Sequence, residues 1–236
     1  MRWSAAVVAF VLLSAATPAI GSFHETPVGV IPDRVHLLAM SGTSFNGLHA
    51  PDAPLLEAYL GENVRFILLA TEPHTFHLHG HPWLLEDGSV VDTFLSDVDT
   101  PHVFDVPAGG VDQHAGDWMY HCHINAHVAS GMWGIFRVYP FTTTLLGVGP
   151  SMVVTLDRLG EPLQGAALSV SVDGVELPAH VEPLGHGAYR VHSALPATGE
   201  LVVTATHPAH GTSLARAGLG GEPLPLPTIV ASHHDA

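Results

Sequence analysis

Lysine is absent from this chain, and its seven basic residues are all arginines. Against them stand 22 acidic residues, for a formal net charge of −15 with histidine neutral. A surface of that sign repels phosphate backbones and anionic bilayers. It argues against nucleic acid as a partner and suits metal cations or a basic partner. Cysteine occurs once, so no internal disulfide can form, and the lone thiol must pair between chains, lie buried or bind something. Long apolar runs are scarce too. The run Ser4–Ala16 is too short to span a bilayer. With Arg2 before it and Ala19-Ile20-Gly21 after it, residues 1–21 read as an export signal, which places the protein in the periplasm or outside the cell. Charged residues make up 12% of a chain that is 47% hydrophobic, which favours a globular core.

Histidine, by contrast, is abundant. Nineteen are present, twelve of them before residue 130. Two blocks concentrate them. The first is His74-Thr75-Phe76-His77-Leu78-His79-Gly80-His81; the second runs from His121-Cys122-His123 through His127 to Gly131-Met132. In a strand, residues i and i+2 face one way and i+1 the other. His121 and His123 then share a face, as do His77 and His79. Two such pairs on neighbouring strands would present four imidazoles to one metal site. Cys122 would point away from them, toward a second site with His74, His127 and Met132 as its partners. Two imidazoles, a thiolate and a weak thioether form the ligand pattern of blue copper electron-transfer sites. Gly131 would let the backbone bring Met132 close. His81 matches no ligand position and reads as a supporting or surface residue. His24, His36, His49, His102 and His114 have no paired spacing, and the histidines at 180, 186, 192, 207 and 210 read as surface residues. Trp83, Trp118 and Trp133 read as packing around the site.

Both blocks resemble the copper motifs of the C-terminal cupredoxin domain of multicopper oxidases, the family of laccases and ceruloplasmin. The family pattern His-x-x-His-x-His falls on His74, His77 and His79. The pattern His-Cys-His-x-x-x-His-x-x-x-x-Met falls on His121, Cys122, His123, His127 and Met132. Ala115-Gly116-Asp117-Trp118 adds to the likeness, which covers about residues 30 to 140. The resemblance implies that His74, Cys122, His127 and Met132 are type 1 copper ligands. It implies that His77 is a type 2 ligand and that His79, His121 and His123 are type 3 ligands. The family's oxygen-reducing cluster draws on four His-x-His pairs from two cupredoxin domains, and these two blocks supply two. A homo-oligomer, or a second cupredoxin-containing chain, would have to complete it, with dioxygen as acceptor and an undetermined reducing substrate as donor. Two other uses of the same ligands stay open: an electron carrier that needs only the type 1 site, and copper storage or resistance without turnover.

Short apolar segments separated by Gly, Pro, Asn and Asp predict an all-β protein. Strands are expected near Val35–Met40, Leu55–Tyr59, Val64–Ala70, Thr75–His79, Val90–Phe94, His102–Val106, Trp118–His123 and Gly134–Tyr139. These would form a cupredoxin, a Greek-key β-sandwich or barrel, over residues 22–140. Residues 141–150 read as a linker. Strands near Met152–Leu156, Ala167–Val172, Val175–Leu177, Ala188–His192 and Leu201–Thr206 predict a small Ig-like β-sandwich over 151–212. Asp173-Gly174 marks a hairpin within it. Residues 213–236 read as a disordered tail.

Overall fold

A computed structural model describes residues 31–85 and 87–221, so the export-signal segment, His24 and residues 222–236 lie outside the described residues. The first part of the chain forms β1 (Arg34–Ser41), β2 (Ser44–Phe45), β3 (Leu56–Tyr59), β4 (Asn63–Ala70), β5 (His74–Leu78), β6 (Trp83–Leu84), β7 (Val90–Val91), β8 (Thr93–Ser96), β9 (His102–Pro107), β10 (Gly116–Cys122), the short helix α1 (Asn125–Ala129) and β11 (Trp133–Tyr139). One sheet has the order β2-β1-β4-β9 and the facing sheet β3-β11-β10-β5-β8. The pairs β1/β4 and β3/β11 are parallel, whereas the other ladders of these two sheets are antiparallel. Parallel neighbours require crossover connections rather than hairpins. The result is the expected Greek-key cupredoxin sandwich.

Alternation builds its core. β4 reads Asn-Val-Arg-Phe-Ile-Leu-Leu-Ala, and its even positions Val64, Phe66, Leu68 and Ala70 are buried while the odd ones face outward. Leu38, Met40 and Phe104 join them from the same sheet, and Phe76, Tyr120 and Phe136 come from the facing one. Phe66 lies at the centre. Its ring stacks on Phe104 at 5.3 Å and 6° and meets Phe136 edge-on at 5.6 Å and 83°.

The second part comprises β12 (Thr142–Leu146), β13 (Ser151–Arg158), β14 (Glu161–Pro162), β15 (Ala167–Val172), β16 (Val175–Leu177), β17 (Ala179–Gly185), β18 (Ala188–Ser193), β19 (Gly199–His207) and β20 (Gly211–Leu219). Its sheets run β12-β13-β18-β17, with β14 on β13, and β16-β15-β19-β20. Between them lies a separate core of Phe141, Met152, Val154, Val191, Leu201 and Val203. The Asp173-Gly174 hairpin forms, with φ of 50° and 76°, the left-handed pair that a two-residue turn between twisted strands needs. The small sandwich rests on the end of the larger one. Tyr59 Oη lies 2.8 Å from the Leu214 carbonyl and 3.0 Å from that of Thr143. Arg216 reaches Glu57 at 3.2 Å, and Tyr139 donates to the same carboxylate. Burial and the neighbouring Glu57 push the Tyr139 phenol up to about 12. Of the six described arginines, five form ion pairs (Arg34, Arg65, Arg137, Arg190 and Arg216).

Several boundaries differ from expectation. β12 lies inside the supposed 141–150 linker. It is a threonine-rich strand that gains its place by pairing with β13 rather than from its own apolar pattern. β20 continues to Leu219, inside the supposed tail, because Ser213, Ala215 and Leu219 are inward residues and all but Leu219 are small. β17 has no expected counterpart. Its residues are mostly exposed and include Pro183, which a strand tolerates at a sheet edge, and its only ladder is to β18. The strand expected at Val90–Phe94 divides into β7 and β8 around Asp92. Truncation of Phe66 to alanine should remove the central ring of the larger core. The expected loss is about 3–5 kcal/mol in a denaturant titration, and a loss below about 1 kcal/mol would contradict this packing.

Candidate metal centre

Strand β10 separates two groups of ligating side chains. Its burial pattern ends with Tyr120 buried, His121 half-buried and Cys122 buried. Register fixes its neighbours: His121 pairs with His77 on β5 and with Trp133 on β11, while Cys122 pairs with Phe76. Inward and outward sides are thereby set on three strands at once.

On the inner side, Cys122 Sγ lies 3.5 Å from His127 Nδ1 and 3.7 Å from His74 Nδ1, and the three ligating atoms all fall within 4.8 Å of one another. His74, Cys122 and Met132 are each 0% exposed, and His127 is half-buried. α1 carries His127 up to the thiol. Sequence spacing assigns this stretch to a loop, since five residues are too few to show helical periodicity. Met132 is tied into the same turn: its amide donates to the His127 carbonyl at 3.0 Å, and the Cys122 amide donates to the Met132 carbonyl at 3.1 Å. Gly131 adopts φ +93°, and a Cβ there would press on His49 at 3.3 Å, so glycine serves both the turn and the close approach of the 49–50 segment. Metal–sulfur and metal–nitrogen bonds of roughly 2.3 and 2.0–2.1 Å at a tetrahedral angle put S and N about 3.5 Å apart. The Cys–His spacings fit one ion, and a thiol with two imidazoles suits copper.

Glu72 is a neighbour that the sequence analysis does not single out. Its carboxylate lies 3.3 Å from His74 Nε2, with the ring N–H not aligned for a hydrogen bond. Its position two residues before His74 is the only local signal for it. Burial lowers the His74 pKa, with a smaller opposing pull from Glu72, so the imidazole stays neutral and able to ligate.

On the outer side, His77, His79 and His121 bring ring nitrogens within 4.8 Å of one another. His123 adjoins this group rather than joining it: it is exposed, with ring centroids 5.4 Å from His77 and 5.7 Å from His121. Backbone carbonyls select the tautomers. His77 Nδ1 lies 2.7 Å from the Asp92 carbonyl and His121 Nδ1 lies 3.0 Å from the Cys122 carbonyl. A carbonyl only accepts, so each Nδ1 carries the proton and each Nε2 keeps its lone pair. Thr93 Oγ1 also approaches His77 Nδ1, at 2.8 Å. Thr93 opens β8, which pairs with β5, and Asp92 is the bend residue before it; no local spacing reveals them. His79 Nε2 faces His121 Nε2 at 3.2 Å. Burial lowers both pKa values, and neighbouring imidazoles add to the effect. Among the other sequence candidates, Trp118 packs edge-on against His81 at 5.0 Å, and Trp83 stacks on Phe104 at 4.1 Å. His36 sits in the core against Phe66, and His102 stacks on Phe94 at 3.6 Å.

A Greek-key sandwich with a buried thiol between two imidazoles at the end of a strand defines a cupredoxin. Residues 30–142 match the family described as multicopper oxidase. Among curated relatives, the probable nitrite reductase-hydroxylamine oxidoreductase fusion protein of Kuenenia stuttgartiensis is 41% identical over 86 residues, which is 35% of this chain and 10% of that protein. Hephaestin of Homo sapiens is 31% identical over 164 residues, 62% of this chain and 13% of that protein. Copper resistance protein A of Escherichia coli is 35% identical over 132 residues, 50% of this chain and 21% of that protein. The chain therefore spans between a tenth and about a fifth of the length of these relatives. It carries, at residues 30–142, a cupredoxin domain of the multicopper oxidase family.

The lowered histidine pKa values set a pH window. A histidine whose folded pKa lies below its unfolded value contributes stability that is present above about pH 6.5 and is lost as pH falls toward the folded pKa, because the unfolded chain then binds more protons. His74, His79, His81 and His121 all shift in that direction. The Tm of the metal-free protein should fall between pH 7.5 and 5.5, and a flat Tm across that range would contradict the assignment.

Proposed function

We propose that this chain is a copper-binding subunit of an oxidase. In this reading His74, Cys122, His127 and Met132 hold a type 1 copper. His77, His79, His121 and His123 supply half of a type 2/type 3 cluster, which a second copy or another cupredoxin-containing chain completes. The single observation that carries the reading is the thiol of Cys122 lying 3.5 and 3.7 Å from two imidazole Nδ1 atoms in a buried pocket. Copper held by that set supplies one-electron redox chemistry. The relatives named for copper resistance point to the same metal.

The chain's own residues divide the work. Half-buried His127 is the ligand nearest solvent on the thiol side, so electrons from a reducing substrate would enter at its edge. His74 and Met132, fully buried, exclude water from the thiol. Cys122 is bonded through the backbone to His121 and His123, which gives a short covalent path between the two groups. His77 and His121 carry their protons on Nδ1 and so present Nε2 outward; His121 Nε2 accepts from His79 Nε2–H, and the His79 proton would have to move to Nδ1 before that ring could ligate through Nε2. The four outer imidazoles favour an oxidase over a carrier, since a carrier uses only the inner set. The overall reaction is four single-electron oxidations of a substrate coupled to reduction of dioxygen and four protons to two waters.

Copper per chain, oligomeric mass and oxygen uptake should be measured on one preparation. The reading expects more than one copper per chain in an oligomer, with oxygen consumed in the presence of a phenol, Fe(II) or Cu(I). A strict monomer with one copper and no uptake would contradict self-assembly into an oxidase.

A further inference from the structure

Sequence spacing leaves His81 without a ligand role, yet its ring is 0% exposed and both its nitrogens are engaged. Nδ1 lies 2.8 Å from the carbonyl of His79 and must donate to it, while Nε2 accepts the Gly109 amide at 3.0 Å. One neutral tautomer satisfies both bonds, and no lone pair remains for a metal. The ring is held edge-on to Trp118 at 5.0 Å and 89° and against Phe136 at 5.1 Å and 67°. The turns it joins are closely apposed: a Cβ on Gly110 would fall 1.9 Å from the Gly80 carbonyl oxygen.

We infer that His81 is a positioning residue for the outer histidine group, acting through the backbone of His79. The His79 amide donates to the Met119 carbonyl at 3.0 Å, and its carbonyl is held by His81, so both peptide planes flanking its Cα are pinned. The His79 side chain is exposed, so its direction depends on those planes more than on packing. With the planes fixed, its Nε2 stands 3.2 Å from His121 Nε2, within the group shared with His77. Loss of the His79–His81 bond frees the carbonyl and lets the imidazole swing away from its partners. This inference rests on the reading of His79 as a metal ligand.

Two substitutions divide the strut. An asparagine amide reaches the place of Nδ1 and keeps the donor to His79, whereas a glutamine amide reaches the place of Nε2 and keeps the acceptor for Gly109. Cu(II) titration, followed by electron paramagnetic resonance, should be run on the full chain carrying Cys122→Ser, which isolates the outer group. His81→Gln should weaken Cu(II) binding there about tenfold or more, and His81→Asn should stay within about threefold of the parent. In chains that keep Cys122, the copper–thiolate absorption should be unchanged by either substitution, which serves as the control for folding. Equal losses in both variants, or none in His81→Gln, would overturn the positioning role. Should the parent bind no Cu(II) at the outer group, the functional reading fails instead. Nitrogen NMR of the metal-free protein then decides the strut: an Nδ1–H tautomer of His81 supports it, and an Nε2–H tautomer or an imidazolium overturns it.

Discussion

Every candidate ligand in this protein depends on which way the last residues of β10 point. Tyr120 and Cys122 face the interior, where Tyr120 packs edge-on to Phe45 at 5.0 Å and donates to the Pro54 carbonyl at 2.6 Å. His121 and His123 face outward. Pairing with β5 on one side and β11 on the other holds that arrangement. A slip of one residue would bring the thiol to the surface and drive two imidazoles into an aromatic core. The hydrophobic packing of Tyr120, Phe76 and Phe136 is therefore what keeps a thiol and a set of imidazoles on opposite sides of one strand.

Hydrogen bonding then prepares the imidazoles. Carbonyls of Asp92, Cys122 and His79 each accept a hydrogen bond from Nδ1–H of a histidine, at His77, His121 and His81 respectively. Two of those rings keep an Nε2 lone pair on the outer face, the one on His121 accepting from His79 Nε2–H. The third closes on a backbone amide and becomes part of the scaffold. Three chemically identical side chains within one short region thus take different roles according to what their second nitrogen meets. Burial reinforces the neutral state in two of them, His81 and His121, so the charge that would compete with a metal is suppressed before any metal arrives.

Much of this was legible in the residue order. Alternation in β4 and β10 revealed strand directions, and the spacing around Cys122 brought His74, His127 and Met132 into consideration. The remainder was hidden for physical reasons. Helix α1 is too short for a 3.6-residue period and has no capping side chain at Ile124. β12 and β20 are held by ladders to β13 and β19, and their own composition of threonine, glycine and small residues carries little apolar signal. His81 meets Gly109 across 28 residues, a contact that only the folded chain creates. Sequence spacing placed His123 with the outer histidines, and its ring adjoins theirs, 5.4 Å from His77 between centroids.

The account stands or falls on a bond between the Cys122 sulfur and copper. The most direct measurement is the visible absorption spectrum of the copper-loaded full chain, taken beside that of a Cys122→Ser variant shown to be folded. An intense blue band in the parent that vanishes in the variant is the predicted result. A colourless copper-loaded parent, or a band that survives the substitution, would contradict it.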